Sequence, residues 1–283
     1  MSMNRIVAST LMRRLLTEAM ARDADIRPRI DALLGRCQID LPRDLTDVTI
    51  AKGAATDEVA ILAAGHFDAK AIVACVHAEV NDAGSAFRQE TVAGRTVFDV
   101  GPQGAATGVF ITVATGQIVI ATSGPFLRAI LDARTEKLAA RPDLVALLGG
   151  VDQTLAVWGV GFVPPEAGAR LVEIAAGAVA EPARTVSFEL RVDDGLGLRV
   201  RFDMATPADA QGLATFASRQ MDLLAAAAQR FNLGRVLAQT KITSDGASLK
   251  VALDLADADV RLIEAVVAGT ASQAKNEEKE QVR

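Results

Sequence analysis

Residue types that carry chemistry or cross-link small folds are scarce in this sequence. Its 283 residues include two cysteines, two histidines and one tryptophan, and aromatic residues make up 4% of the total. Two cysteines exclude a disulfide-dense mini-domain and a cysteine-rich zinc module. The 30 basic residues are outnumbered by 35 acidic ones, which argues against sequence-independent nucleic-acid binding, because such binding needs clustered cations. We therefore expect an acidic, apolar-rich globular protein with no nucleic-acid partner.

A long hydrophobic run is also missing, although 50% of the residues are hydrophobic and the mean hydropathy is +0.25. A transmembrane helix needs about 20 consecutive apolar residues. The longest weakly polar stretches, residues 109–121 and 223–228, are shorter, and we expect no transmembrane segment. Residues 4–20 place Arg13 and Glu18 where a signal peptide would be apolar. The Met-Ser-Met opening resembles a cloning scar, so an export signal removed upstream stays compatible with the sequence.

The spacing of apolar residues changes along the chain and defines four regions. A spacing of three to four predicts helices near the N-terminus. From residue 47 the period becomes two, and glycine-containing turns join strand-like runs, which predicts β-hairpins. The clearest hairpin joins residues 186–192 to residues 196–202, with one apolar and one polar face. We therefore predict N-terminal helices at 1–46, two hairpin-and-helix halves at 47–140 and 141–270, and a charged, disordered tail at 271–283.

A helix start follows most of the predicted hairpins. Short polar residues or prolines stand where a helix cap or first turn belongs, as at Asp68, Ser123 and Thr206. The pattern of strands followed by a helix occurs five times, which suggests an internal repeat. The predicted fold is therefore α+β, built from duplicated antiparallel β-hairpin-plus-helix units, with the helices packed on one face of the sheets.

The two histidines are the first candidates for catalysis. His66 stands at a strand end, and a hydrolase would use it as a general base with Asp68 as the orienting carboxylate. No nucleophile motif accompanies this pair, which favours a turn residue. A metal site built from Cys37, His66, Cys75 and His77 is not expected, because residues two apart on a helix point in different directions. We predict no catalytic residue, no metal and no cofactor.

The spacing of the cysteine pair leaves two interpretations open. Cys37 follows the N-terminal helices, and Cys75 lies in the first helix after a hairpin. A bridge between them would add about 3–4 kcal/mol through loop closure and would imply an oxidising compartment. Two separate buried thiols, which are common in cytosolic cores, fit the spacing equally well.

Short motifs around these cysteines resemble a known group of proteins. Residues 37–48 (CQIDLPRDLTDV) and 65–68 (GHFD), followed by Cys75, resemble the uncharacterised, Ala-rich bacterial cell-envelope proteins, which are often lipoproteins. In that family a C-x-I-D-P-x-x-D stretch leads into a hairpin, and an R-G-x-F-D…C stretch opens a helix. This chain departs from the pattern at Leu41, which precedes the proline. The resemblance implies export, a non-catalytic role and a bridge between Cys37 and Cys75.

These observations together predict a non-enzymatic extracytoplasmic binding or scaffold protein. We expect it in the periplasm or cell envelope, with the cytoplasm as the alternative, and its partner would be a protein or a hydrophobic small molecule. The alternative function is a carrier of a lipid or other hydrophobic ligand in a cavity between sheet and helices, lined by Phe110, Ile118, Trp158 and Phe188. A hydrolase that uses His66 is the third candidate.

Overall fold

The chain folds into two compact units in the computed structural model, which describes residues 2, 6, 9–11, 14, 26–53, 58–82, 87–100, 107–132 and 141–266. The first unit ends at Pro142 and the second begins at Asp143, with Ser9–Leu11 grouped with the second. The sequence predicts a boundary between residues 140 and 141. The predicted tail at 271–283 lies outside the described residues, as does much of the predicted N-terminal helical region.

The first unit is built around a six-stranded antiparallel sheet. Its described helices are α1 (Ile26–Arg36), α2 (Leu41–Asp44), α3 (Ala69–Asp82) and α4 (Gly124–Leu131), and its strands are β1 (Leu45–Lys52), β2 (Val59–Gly65), β3 (Phe87–Val92), β4 (Arg95–Val100), β5 (Thr107–Ala114) and β6 (Gln117–Ser123). The strand order is β1-β2-β6-β5-β4-β3. The sheet is therefore a meander of β3 to β6, with the hairpin β1–β2 added beside β6.

Two-residue turns set the register of this meander. Val92 pairs with Arg95 across a turn in which φ is 50° at Ala93 and 77° at Gly94. Positive φ at both central residues matches the twist that a tight hairpin requires. In the turn between β5 and β6, Gly116 alone has positive φ, at 73°. Both turns are among the glycine-containing turns that the sequence predicts from residue 47 onwards.

A helix packs on each face of the first sheet. Leu127 of α4 is 0% exposed and packs with Phe110 and Val119. On the other face, Ile72 of α3 packs with Ile118, which points away from Val119 because neighbouring side chains on a strand alternate. The central strands are aliphatic on both faces, so each face has its own core.

The second unit is built around a five-stranded antiparallel sheet. Its described helices are α5 (Pro142–Gly149), α6 (Pro165–Ile174), α7 (Pro207–Ala228), α8 (Gly234–Leu237) and α9 (257–266), with a 3-10 turn at Gln229–Phe231, and its strands are β7 (Val157–Phe162), β8 (Thr185–Val192), β9 (Gly195–Asp203), β10 (Lys241–Asp245) and β11 (Ser248–Ala256). The strand order is β10-β11-β9-β8-β7. Here the added hairpin, β10–β11, follows the meander in sequence, whereas β1–β2 precedes the meander of the first unit.

The faces of the second sheet differ sharply in polarity. Along β8 and β9, the paired residues on one face are all apolar: Val186 with Phe202, Phe188 with Val200, Leu190 with Leu198, and Val192 with Leu196. Arg199 and Arg201 point to the opposite face and are exposed. Helix α7 buries Leu213 and Ala214 against Leu249 on the apolar side. This sheet therefore has one dry face and one wet face.

The predicted α+β class, with antiparallel hairpins and helices, is confirmed. Helices α6 and α7 pack on the apolar face of the second sheet, and the first sheet carries a helix on each of its faces. The helix starts after β6 and β9 are capped by Ser123 and Thr206. Helix α5 is absent from the sequence predictions, although half-buried Leu144, Leu147 and Leu148 have the spacing of one helix face and could have indicated it.

Candidate binding surface

A row of isoleucines crosses the first sheet. Ile50 of β1 pairs with Ile61 of β2, Ile61 pairs with Ile120 of β6, and Ile120 pairs with Ile111 of β5. Residues directly opposite each other on antiparallel strands share a face, so these side chains form one continuous row. Phe98 of β4, the partner of Ile111, extends the row by a fifth strand.

Helix α3 covers one side of this row. The next row on the same face, two residues along each strand, consists of Val48, Ala63, Ile118 and Val113. Ile72 of α3 packs on that row. Further along the helix, the His77 ring meets the Phe98 ring edge-on, with the ring centroids 5.4 Å apart. The helix therefore crosses the strands and buries Phe98, which is 1% exposed.

The other side of the row is open to solvent. Ile50 is 59% exposed, Val109 44%, and Ile61 and Ile120 are 39% exposed each. We call these four side chains the open aliphatic face. At these exposed fractions they leave on the order of 300 Å² of hydrocarbon in contact with water, a patch of the size that is often functional in monomeric proteins.

The start of α3 is fixed by polar contacts at the end of β2. The backbone N–H groups of Lys70 and Ala71 donate to the Asp68 carboxylate at 2.8 and 3.3 Å. The backbone N–H of His66 donates to the carbonyl oxygen of Asp44 at 2.7 Å. Gly65 is required beside it, because a Cβ at that position would collide with the same carbonyl oxygen.

The Asp44 carboxylate is held ionised by its neighbours. It accepts a hydrogen bond from the Arg43 side chain at 2.7 Å and another from the backbone N–H of Asp40 at 2.8 Å. These bonds and the guanidinium charge of Arg43 lower the pKa of Asp44. The carboxylate thereby stabilises the short helix α2 directly before β1.

A disulfide joins Cys37 to Cys75, with the Cα atoms 5.1 Å apart. Of the two interpretations that the cysteine spacing leaves open, the structure has the bridged one. Both residues are buried, at 8% and 7% exposure. The bridge ties the turn after α1 to the middle of α3, and so it restrains the helix that bounds the open aliphatic face.

The structure does not assemble the histidine and aspartate that a hydrolase would need. His66 is exposed at the end of β2, while the Asp68 carboxylate accepts the two backbone bonds that cap α3. Within the described ranges no hydrogen bond joins the two side chains. Asp68 therefore has the structural role that its position before a helix favours.

The residues expected to line a ligand cavity do not share a wall. Phe110 and Ile118 point to opposite faces of the first sheet, the former towards α4 and the latter towards α3. In the second sheet, Trp158 pairs with Glu189 on the wet face, whereas Phe188 lies over Gly159 on the dry face. The proposed lining is therefore corrected, because the strand alternation separates the members of each pair.

The second unit carries a polar cleft of about 570 Å³ between β9, β11 and the helices α8 and α9. Arg191 pairs with both Asp193 and Asp254 at 3.3 Å, and Arg235 pairs with Asp259 at 2.6 Å. Hydrogen bonds from Gln239 and the Arg235 charge lower the pKa of Asp259 although it is buried. Four aspartates and two arginines line this cleft, so its ion pairs leave a surplus of negative charge, which would repel an anion.

A half-buried carboxylate of the second unit also has a structural role. Asp203, at the end of β9, accepts hydrogen bonds from Ser248 at 2.7 Å, Arg201 at 2.8 Å and Thr185 at 2.9 Å. Burial opposes its ionisation, but these three bonds outweigh burial and lower the pKa of Asp203. The carboxylate thus links β8, β9 and β11 at one edge.

Two further features are absent from the described residues. These residues include no group of three or more His, Cys, Asp or Glu side chains placed to hold a metal ion. No helix among them has both the length and the apolar composition that crossing a membrane requires.

Comparison with known proteins gives only distant similarities. No family model matches the chain, and no curated protein matches it. Among solved structures, the chain is similar to crystal form III of TP0453, with 10% identity, a TM-score of 0.47 and 88% of each chain covered. Crystal form I of TP0453 gives 12% identity and a TM-score of 0.41, covering 89% of this chain and 88% of that one. Crystal form IV gives 10% identity and a TM-score of 0.39, with 86% and 82% covered.

The open aliphatic face is absent from the predictions that the sequence supports, although a signal for it exists. Residues 118–121 of β6 are apolar without interruption, as are residues 59–64 of β2. An uninterrupted apolar strand is typical of a sheet that is covered on both faces. The sequence thus indicates that both faces of the first sheet are buried. In the structure, α3 buries only part of one of these faces.

Proposed function

We propose that this chain is a non-enzymatic, extracytoplasmic binding or scaffold protein that engages a protein partner through the open aliphatic face. The observation that carries the proposal is the row formed by Ile50, Ile61 and Ile120, which is in register on three strands and exposed to water. Exposed rows of this kind in soluble proteins mark surfaces that another molecule covers.

The geometry of the face favours a protein partner over a carried lipid. A carrier encloses its ligand in a cavity that buries most of the ligand surface. The open aliphatic face is instead one side of a sheet, and the residues expected to enclose a ligand are divided between opposite faces. A broad aliphatic surface of this kind suits the apolar centre of a protein interface.

The disulfide supports the extracytoplasmic part of the proposal. Disulfides persist in oxidising compartments and are rare where thiols are kept reduced. Cys37 and Cys75 are both buried, and their bridge joins the chain before β1 to α3. The carboxylates placed in hydrogen-bonded caps and strand ends, Asp68 and Asp203 among them, support a structural rather than a catalytic use.

Site-specific photo-crosslinking in the native host tests this function. A photo-reactive phenylalanine analogue in place of Ile120 is expected to give one discrete protein adduct. The Ile61→Thr change in the same chain is expected to reduce that adduct strongly, because it replaces an ethyl group in the adjacent contact by a hydroxyl. The analogue at Ile174, which is 66% exposed at the end of α6, serves as the control.

The same experiment separates the alternatives. An equal adduct at Ile174, or none at Ile120, contradicts a binding role for the face. A lipid in the organic extract of the crosslinked protein, without a protein adduct, supports the carrier instead. For the compartment, acid-quenched cells treated with a thiol reagent are expected to yield unlabelled Cys37 and Cys75, and labelling of both contradicts export to an oxidising compartment.

A further inference from the structure

A second unpartnered apolar surface lies at the far end of α7. This helix of 22 residues buries side chains only in its first third, at Asp209, Ala210, Leu213 and Ala214. Beyond them, Leu223 is 65% exposed and Leu224 is 56% exposed. Phe231, in the 3-10 turn that follows, is 42% exposed. We call Leu223, Leu224 and Phe231 the distal ridge.

The distal ridge forms a continuous strip along the helix. Leu224 and Phe231 are seven residues apart, which is about two helical turns, so they lie on one side, with Leu223 adjacent. The Arg230 guanidinium stacks over the Phe231 ring, 4.7 Å from its centroid. The exposed fractions correspond to on the order of 300 Å² of apolar surface, which matches the open aliphatic face in size.

The open aliphatic face has the width of one helix. Ile50 and Ile120 each lie two residues from the row under α3, and Val109 lies four residues from Val113 of that row. At about 3.3 Å per residue the open positions are about 7 and 13 Å from that row. Helices pack about 10 Å apart, so a second helix laid beside α3 falls midway between them.

Because the face accepts a helix and the chain itself displays an unpartnered apolar helix, we infer that the distal ridge of one copy docks on the open aliphatic face of another. The inference rests on the proposed function and names the partner as a second copy of this chain. The contact is heterologous, since a face meets a ridge, so each added copy leaves one free face and one free ridge.

The size of the two surfaces sets the expected strength of this contact. A stable dimer of standard size buries about 800 Å² on each partner, and each apolar patch here is smaller than that. The association is therefore weak and reversible, and it depends on protein concentration. It also continues beyond a dimer, because a heterologous contact closes only in a ring.

Sedimentation velocity on the full chain, from about 5 to about 500 µM, tests the inference in the range of weak protein association. The face variant is Ile61→Thr with Ile120→Thr, which keeps β-branched residues in the strands. The ridge variant is Leu223→Gln with Leu224→Gln, which keeps good helix formers in α7. Unchanged circular dichroism spectra and melting midpoints establish that both variants are folded.

The unmodified chain is expected to rise in average mass with concentration and to pass the mass of a dimer. Each variant alone is expected to stay monomeric, and the Ile174→Gln control is expected to associate like the unmodified chain. An equimolar mixture of the two variants is expected to stop at a dimer, because only one intact face and one intact ridge then meet.

Two results would overturn the inference. The first is an unmodified chain that stays monomeric throughout the range. The second is self-association of the unmodified chain that the mixed variants cannot restore as a dimer. If the chain is monomeric and the photo-reactive analogue at Ile120 still gives an adduct with a different protein, the proposed function stands and the self-association alone fails.

Discussion

The first sheet carries aliphatic side chains on both faces, whereas the second separates an apolar face from a charged one. Both are meanders of consecutive strands with a hairpin added beside the last. In the second sheet, Arg199 and Arg201 occupy the face opposite the core, and these charged side chains are favourably solvated there. In the first sheet the equivalent face is aliphatic, and α3 covers only part of it. Two sheets with the same strand arrangement therefore leave different surfaces exposed. The difference comes from which residue types alternate onto each face of the strands.

The largest expected effect is on the stability of the first unit, which has a disulfide. Replacing both Cys37 and Cys75 with serine removes the bridge between α1 and α3, and loop closure over this span contributes about 4 kcal/mol. The first unit is expected to unfold at lower urea concentration, while the second keeps its midpoint. Urea titration followed by hydrogen exchange of each unit measures this difference.

The control for the disulfide change is chemical. Reduction of the unmodified chain is expected to reproduce the loss in the first unit, and the serine variant is expected not to respond to the reductant. Equal destabilisation of both units would contradict a bridge that acts only on the first.

The next largest effect tests the dry face of the second sheet. Gly159→Val places a side chain where the Phe188 ring now lies; because that ring is 39% exposed and can turn aside, the expected cost is at the lower end of the overpacking range, about 1 kcal/mol. Gly161→Val, two residues along the same strand, is the matched control, because nothing lies within 4 Å of a Cβ there. The melting midpoint is expected to fall for Gly159→Val only. Equal midpoints for the two variants would show that the Phe188 ring moves aside freely.

A smaller effect concerns the acid stability of the second sheet. The pKa of Asp203 is lowered in the folded protein, so its contribution is present above the ordinary carboxyl pKa of about 3.9 and is lost as the pH falls through the folded value. The urea midpoint of the second unit is expected to drop over that acid range. The Asp203→Asn variant is expected to have a lower urea midpoint at neutral pH and a smaller decrease of that midpoint on acidification. An equal decrease in the variant and the unmodified chain would contradict this role of Asp203.

The smallest effect compares the two faces of the first sheet. Ile120→Thr on the open aliphatic face is expected to change stability by less than about 0.5 kcal/mol, because the side chain is already exposed. Val119→Thr, on the opposite face and 4% exposed, is expected to cost about 2 kcal/mol by burying a hydroxyl. Chemical denaturation measures both, and a large loss for Ile120→Thr would mean that the face is covered within the chain.

Local signals in the sequence predict most of the architecture. The alternation along residues 186–192 and 196–202 predicts the β8–β9 hairpin, which the structure extends by only one residue at each outer end. The turn at Ala93 and Gly94 and the cap at Thr206 are likewise local, since each depends on the conformation of two or three neighbouring residues. These features can be predicted because their causes lie within a few residues.

The open aliphatic face could not be predicted in the same way, because it depends on register across strands. Ile50, Ile61, Ile120 and Ile111 are separated by up to 70 positions in sequence, and only the pairing of four strands brings them into one row. The position of α3 depends on contacts with those strands. The distal ridge is equally hidden, since an alanine-rich helix end gives the same local pattern whether or not a sheet covers it.

The bridge between Cys37 and Cys75 also has a consequence for producing this protein. In a reducing host the bridge does not form, and α3 loses its covalent tether to the chain before β1. We expect α3 to separate more readily from the row that includes Val48 and Ile118, which would enlarge the exposed apolar surface beside the open aliphatic face. Newly made chains should accumulate in inclusion bodies in such a host, and moving expression to an oxidising one should raise the soluble yield.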